Sequence, residues 1–136
     1  MEKKDLKPTG VFKYFEEICQ VPRPSKKEEK MIAYLKAFGA KHNLETKVDE
    51  AGNVLIKKPA TPGKENLQTV VLQSHIDMVC EKNNDVQHDF LTDPIETEID
   101  GEWLKAKGTT LGADNGIGVA TELAILADDS IEHGPL

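Results

Sequence analysis

Thr69-Val-Val-Leu-Gln-Ser-His-Ile-Asp77 opens as a short β-branched, apolar run and closes on ionisable side chains. The run Thr69–Gln73 has the composition of a strand buried on both faces. In extended backbone, residues two apart project to the same side, so His75 and Asp77 share a face at the strand's C-terminal end. Open α/β sheets place their ligands at that end. An imidazole nitrogen is a good metal ligand, and a carboxylate beside the other ring nitrogen fixes the tautomer. A bare His-x-Asp is more often a histidine satisfied by a local hydrogen bond, so the tripeptide alone decides nothing.

Working outward, Val11, Phe12, Phe15, Ile18 and Cys19 form a helical stripe that Pro22 and Pro24 end. Ser25-Lys-Lys-Glu28 has the capping-box pattern, and the helix after it carries Met31, Ile32, Leu35 and Phe38 on one face and ends near His42-Asn43. The period then changes to that of strands at Thr46–Val48 and Val54–Ile56, joined by a turn at Ala51-Gly52-Asn53. Residues 60–66 and 81–94 read as loops, Asp100-Gly101 as a hairpin turn between strands 96–99 and 102–105, and 116–128 as a mostly buried helix. This alternation predicts an α/β fold with a mixed, largely parallel sheet between helices.

The chain has 136 residues, enough for one core. Its 24 acidic residues against 17 basic ones give a net charge of −7, spread without a basic patch, which argues against a nucleic-acid partner. The start, Met1-Glu-Lys-Lys-Asp5, lacks the apolar core of a secretory signal, and the apolar stretch Gly118–Ala127 is too short for a membrane span and contains Glu122. A cytoplasmic location follows as the expectation, with Cys19 and Cys80 as free thiols.

A second candidate is the loop Gly108-Thr-Thr-Leu-Gly-Ala-Asp114-Asn-Gly116-Ile-Gly118 before the last helix. Its glycines permit tight backbone approaches near Asp114, and one carboxylate can bridge two metal ions. The same pattern serves about as often as an Asx turn capping a helix. A phosphate cradle is a poorer choice, since no G-x-x-x-x-G-K-[ST] pattern exists.

Taken together, Leu72-Gln-Ser-His75-Ile-Asp77-Met-Val-Cys-Glu-Lys-Asn83, His88-Asp-Phe90, Asp93-Pro-Ile95, Asp100-Gly-Glu-Trp103 and Gly108–Gly118 closely resemble the aminoacyl-histidine (Xaa-His) dipeptidases, a branch of the di-zinc exopeptidases. The resemblance covers essentially the whole chain and is strongest from Val70 onward. It implies that His75 is a ligand of one zinc, that Asp77 is the catalytic aspartate orienting His75, and that Asp114 bridges two zincs, with the Asp114–Asn115 peptide bond often cis. It implies metal-dependent hydrolysis of dipeptides with a free amino group and a C-terminal histidine. The family's general-base glutamate, its further metal ligands and its lid domain, which commonly mediates homodimers, have no counterpart in 1–136. The resemblance therefore describes residues 1–136 as the N-terminal portion of a catalytic domain, with little activity alone. A non-catalytic folded fragment binding one metal weakly, or another peptidase or deacylase of the same family, are the alternatives. His42, His88 and His133 read as solvated, Trp103 as a packing residue, and Cys80 as facing away from His75.

Overall fold

The computed structural model describes residues 2–136. A short 3-10 turn, Lys3–Asp5, precedes helix α1, Thr9–Cys19, and helix α2 spans Glu29–Lys41. Strands β1, Glu45–Val48, and β2, Val54–Lys57, form one hairpin; β3, Thr97–Asp100, and β4, Trp103–Ala106, form another; α3, Ala113–Ala127, closes the order. Helix α1 buries Tyr14, Phe15, Ile18 and Cys19, whose spacing keeps them on one stripe, and packs on α3 through Val119, Ala120 and Leu123. Helix α2 adds Met31, Leu35 and Phe38 to the same core.

Both hairpins follow their turn chemistry. Glu45 pairs with Lys57 and Val48 with Val54; between them Gly52 takes φ 88° and the Asp49 carboxylate accepts the amides of Ala51 and Asn53. Asp100 pairs directly with Trp103 around Gly101 at φ 61°. Trp103 is nonetheless 74% exposed, so the packing role expected for it is corrected: its side of the short β3–β4 ribbon faces solvent.

The Ser25–Glu28 capping box does not form. Lys26 adopts a left-handed φ of 68°, its amide donates to Glu28 Oε1 at 2.7 Å, and the Ser25 hydroxyl turns away from α2. Its capping capacity is used elsewhere, on Asp77.

The chain is α/β, and the described residues hold small pieces of the expected sheet: two antiparallel hairpins and an isolated parallel bridge between Pro24 and Met78. The Thr69–Gln73 run joins no ladder, and Val70, Val71 and Leu72 are 52%, 78% and 43% exposed. A strand buried on both faces needs partners on both edges. Here the run faces β2 across an open groove that Val119, Leu123 and Leu126 of α3 help to line. Pro135 and Leu136 line part of that groove. Lys58 exchanges both backbone hydrogen bonds with Leu136, at 2.9 and 3.0 Å, and the Val70 amide donates to Pro135 O at 3.0 Å. The Lys58 ammonium, reaching back, donates to the Asp128 carbonyl at the end of α3 at 2.9 Å, a favourable place for a cation.

Candidate metal centre

Three segments far apart in sequence meet at one edge of this fold. The first is 74–78, anchored by Ser74 Oγ donating to Glu122 Oε2 of α3 at 2.8 Å and by the Met78 amide donating to Arg23 O at 3.0 Å. With Met78 buried at 3% exposure, this end of the segment is fixed, and His75 and Asp77 project away from the core. The second is the turn into α3. Gly112 adopts φ 73°, and Asp114 and Asn115 have non-helical backbone angles, so the regular helix begins at Gly116, where the sequence places it. Asn115 Oδ1 accepts the Gly118 amide at 3.1 Å, which makes Asn115 the capping side chain. Asp114 is thereby left without a capping task, its side chain 96% exposed. The Asp114–Asn115 peptide bond is cis. The third segment is 23–25, whose Ser25 hydroxyl donates to Asp77 Oδ2.

The result places His75 between two carboxylates. Its Nδ1 lies 3.2 Å from Asp77 Oδ1 and its Nε2 lies 3.0 Å from Asp114 Oδ1. Carboxylates accept hydrogen bonds, so two such neighbours favour the form of the ring that carries hydrogen on both nitrogens. The hydrogen bond to Asp114, with smaller help from Asp77, raises the His75 pKa above its usual 6.5. Asp77 is held below its usual value, first by the Ser25 hydroxyl and then by the charge on His75. The favourable pairing is therefore complete below pH 6.5 and disappears as pH rises through the elevated His75 value. In an NMR titration of the metal-free protein His75 is expected to titrate above 6.5, and Asp114→Asn to bring it down. A midpoint at or below the usual value would contradict this geometry.

These donors fit a divalent metal. Two ligands about 2.0–2.1 Å from one tetrahedral zinc lie about 3.3 Å apart. The Nε2–Oδ1 separation of 3.0 Å is close to that, and both groups are open to solvent. With Asp77 on Nδ1, the Nε2 proton is the one a cation would replace. Among the described residues, no group of three or more His, Cys, Asp and Glu side chains could hold a metal ion.

No family model matches the chain. Its sequence is 52% identical over 135 residues to the cytosol non-specific dipeptidase of Escherichia coli (strain K12), a match covering 99% of this chain and 28% of that protein. The chain is similar to dipeptidases. The crystal structure of aminoacylhistidine dipeptidase from Vibrio alginolyticus matches with a TM-score of 0.95 and 53% identity, covering 99% of this chain and 28% of that one. A tripeptidase from Staphylococcus aureus and aminopeptidase PepT from Bacillus cereus share the fold at a TM-score of 0.72 and 22% identity, covering 93% of this chain and 34% of theirs. The chain thus spans 28% of the length of each dipeptidase it matches. No described helix is long and apolar enough to cross a membrane.

The other sequence candidates lie elsewhere. Cys80 is half-buried, its thiol directed at Met78 O rather than at His75. His42 stacks on Phe38 and His88 on Phe90, each with ring centroids 4.4 Å apart, and each leaves a buried Nε2 without a protein partner. His133 Nδ1–H donates to Gly134 O at 2.6 Å. All three are partly buried rather than solvated, because aromatic or backbone neighbours cover their rings. Sequence reasoning missed Ser25 and Arg23. Ser25 was assigned to a helix cap, and Arg23, flanked by two prolines, carries no pattern that points to the site.

Proposed function

We propose that this chain supplies one half of a two-zinc centre for dipeptide hydrolysis, with His75 and Asp114 as metal ligands and Asp77 as the residue that orients His75. The observation that carries the reading is the 3.0 Å approach of His75 Nε2 to Asp114 Oδ1 across 39 residues of sequence. Asp77 accepts the hydrogen bond of Nδ1–H and directs Nε2 toward the cation; Asp114 offers two oxygens, enough to bridge two ions. A zinc pair held there would supply an acidified water and a Lewis acid for the scissile carbonyl. The names of the matched relatives support peptides as the substrate class, and within it dipeptides ending in histidine; they also support a cytosolic setting. Nucleic acid and membrane are not partners in this reading, and a homodimer is a proposal for the longer protein alone.

The partial ligand set also favours a second reading, in which the chain alone binds a single metal weakly and hydrolyses little. Activity tests the first. The chain joined to the remaining sequence of its E. coli relative is expected to hydrolyse Xaa-His dipeptides, to lose activity to a chelator and to regain it with zinc. The bare chain is expected to show little or none. Chelator-insensitive hydrolysis, or preference for non-peptide substrates across a panel, would refute it.

A further inference from the structure

Arg23 is 2% exposed, and among the described residues it forms no ion pair within 4.0 Å. A buried guanidinium without a carboxylate is costly unless its hydrogens are satisfied. Here they are satisfied by backbone carbonyls from two segments. Nη1 donates to Ile76 O at 3.2 Å and to Asp77 O at 3.4 Å, while Nη2 donates to Gly112 O at 2.7 Å. The residue's own carbonyl accepts the Met78 amide at 3.0 Å. One side chain therefore spans the segment that presents His75 and Asp77 and the turn that presents Asp114.

The surroundings are shaped for that fork. A Cβ at Gly112 or at Gly116 would lie 2.7 Å from Nη2, so both positions leave it the space it occupies. Gly112 also stands at φ 73°, where its carbonyl can face the guanidinium without a side chain in the way. A lysine has the charge without the planar array of donors that lets one fixed guanidinium meet carbonyls on both segments.

We propose that Arg23 is a positioning residue, its buried guanidinium clamping the 76–77 and 112 backbones so that His75 and Asp114 meet at ligand-sharing distance. This rests on the metal reading above only for its consequence, since the clamp itself is a metal-free property. Two measurements on the 136-residue chain test it. In crystal structures of Arg23→Lys and Arg23→Met without metal, the Nε2–Oδ1 separation is expected to open beyond about 3.5 Å, out of hydrogen-bond range. By calorimetry with zinc alone, both variants are expected to bind about 10–100-fold more weakly. Because lysine keeps the charge, its failure to rescue separates geometry from electrostatics. Gly116→Ala, which keeps the Arg23 side chain but crowds Nη2 and the Phe15 ring edge, is expected to shift both readouts the same way if the Arg23 variants do not fold. Leu35→Ala, in the core on α2, controls for lost stability and is expected to change neither.

A separation that stays near 3.0 Å in the variants, tighter zinc binding by Arg23→Met, or a loss no larger than that of Leu35→Ala would overturn the proposal. If the unaltered chain binds no zinc while the variants still open the gap, the metal reading fails and the clamp stands.

Discussion

Phe15→Ala is expected to destabilise this chain by about 3–5 kcal/mol, the range for emptying a buried phenylalanine site. Phe15 is 1% exposed on α1 and lies against the start of α3, where its ring edge would be 3.1 Å from a Cβ at Gly116. Ile18 of α1 and Leu123 of α3 pack in the same core, which limits how far either helix can move in to fill the void. A domain of this size has about 5–15 kcal/mol in hand, so a large share of it would go. The open groove beside β2 leaves apolar residues in water that a complete sheet would cover, which places the chain toward the lower end. Urea denaturation followed by circular dichroism measures the change directly. Val71→Ala is the contrast: at 78% exposure it is expected to change stability by no more than about 0.5 kcal/mol. A Phe15→Ala loss below about 1 kcal/mol would mean that α1 and α3 close over the gap.

The difference between those two residues also separates what is legible in the sequence from what is not. Phe15 repeats with Ile18 and Cys19 at helical spacing, and that period is enough to assign the helix and its inward face. Gly52 and Gly101 announce the two hairpins because only a residue tolerant of positive φ fits those turns. Val71 misleads, since its composition reports a strand buried on both faces while burial depends on neighbours that composition does not contain. Ser25 misleads for a similar reason. Its spacing to Glu28 suits a cap, yet a carboxylate 52 residues away takes the hydroxyl instead. For the centre, His75 and Asp77 are readable as a pair from the two-residue alternation of extended chain. The partnership of His75 with Asp114 is not: apart from a family resemblance nothing in the chain links positions 39 residues apart, and the fold brings Nε2 and Oδ1 to 3.0 Å. Arg23 shows the limit most plainly. Its partners are carbonyl groups, which every residue has, so no side-chain pattern could have marked them.

Asp114 and its neighbour Asn115 should separate function from stability within a single turn. In the chain completed by the sequence of its E. coli relative, Asp114→Ala and Asp114→Asn are both expected to lower dipeptide hydrolysis about a thousandfold. That corresponds to roughly 4 kcal/mol of transition-state stabilisation from metal-bound charge. The asparagine matters because it keeps the shape while removing the charge and one strong acceptor, and so cannot bridge two cations as a carboxylate does. Neither change should move the thermal midpoint by more than a degree or two, since the Asp114 side chain is 96% exposed and caps nothing. Asn115→Ala removes the side chain that accepts the Gly118 amide and is expected to lower stability by about 1 kcal/mol. It leaves the His75 and Asp114 side chains in place. Activity after Asn115→Ala should follow the folded fraction, and metal content, measured by atomic absorption, should fall only in the Asp114 variants. Full metal occupancy with undiminished hydrolysis in Asp114→Ala would show that the carboxylate beside His75 is a salt-bridge partner and nothing more.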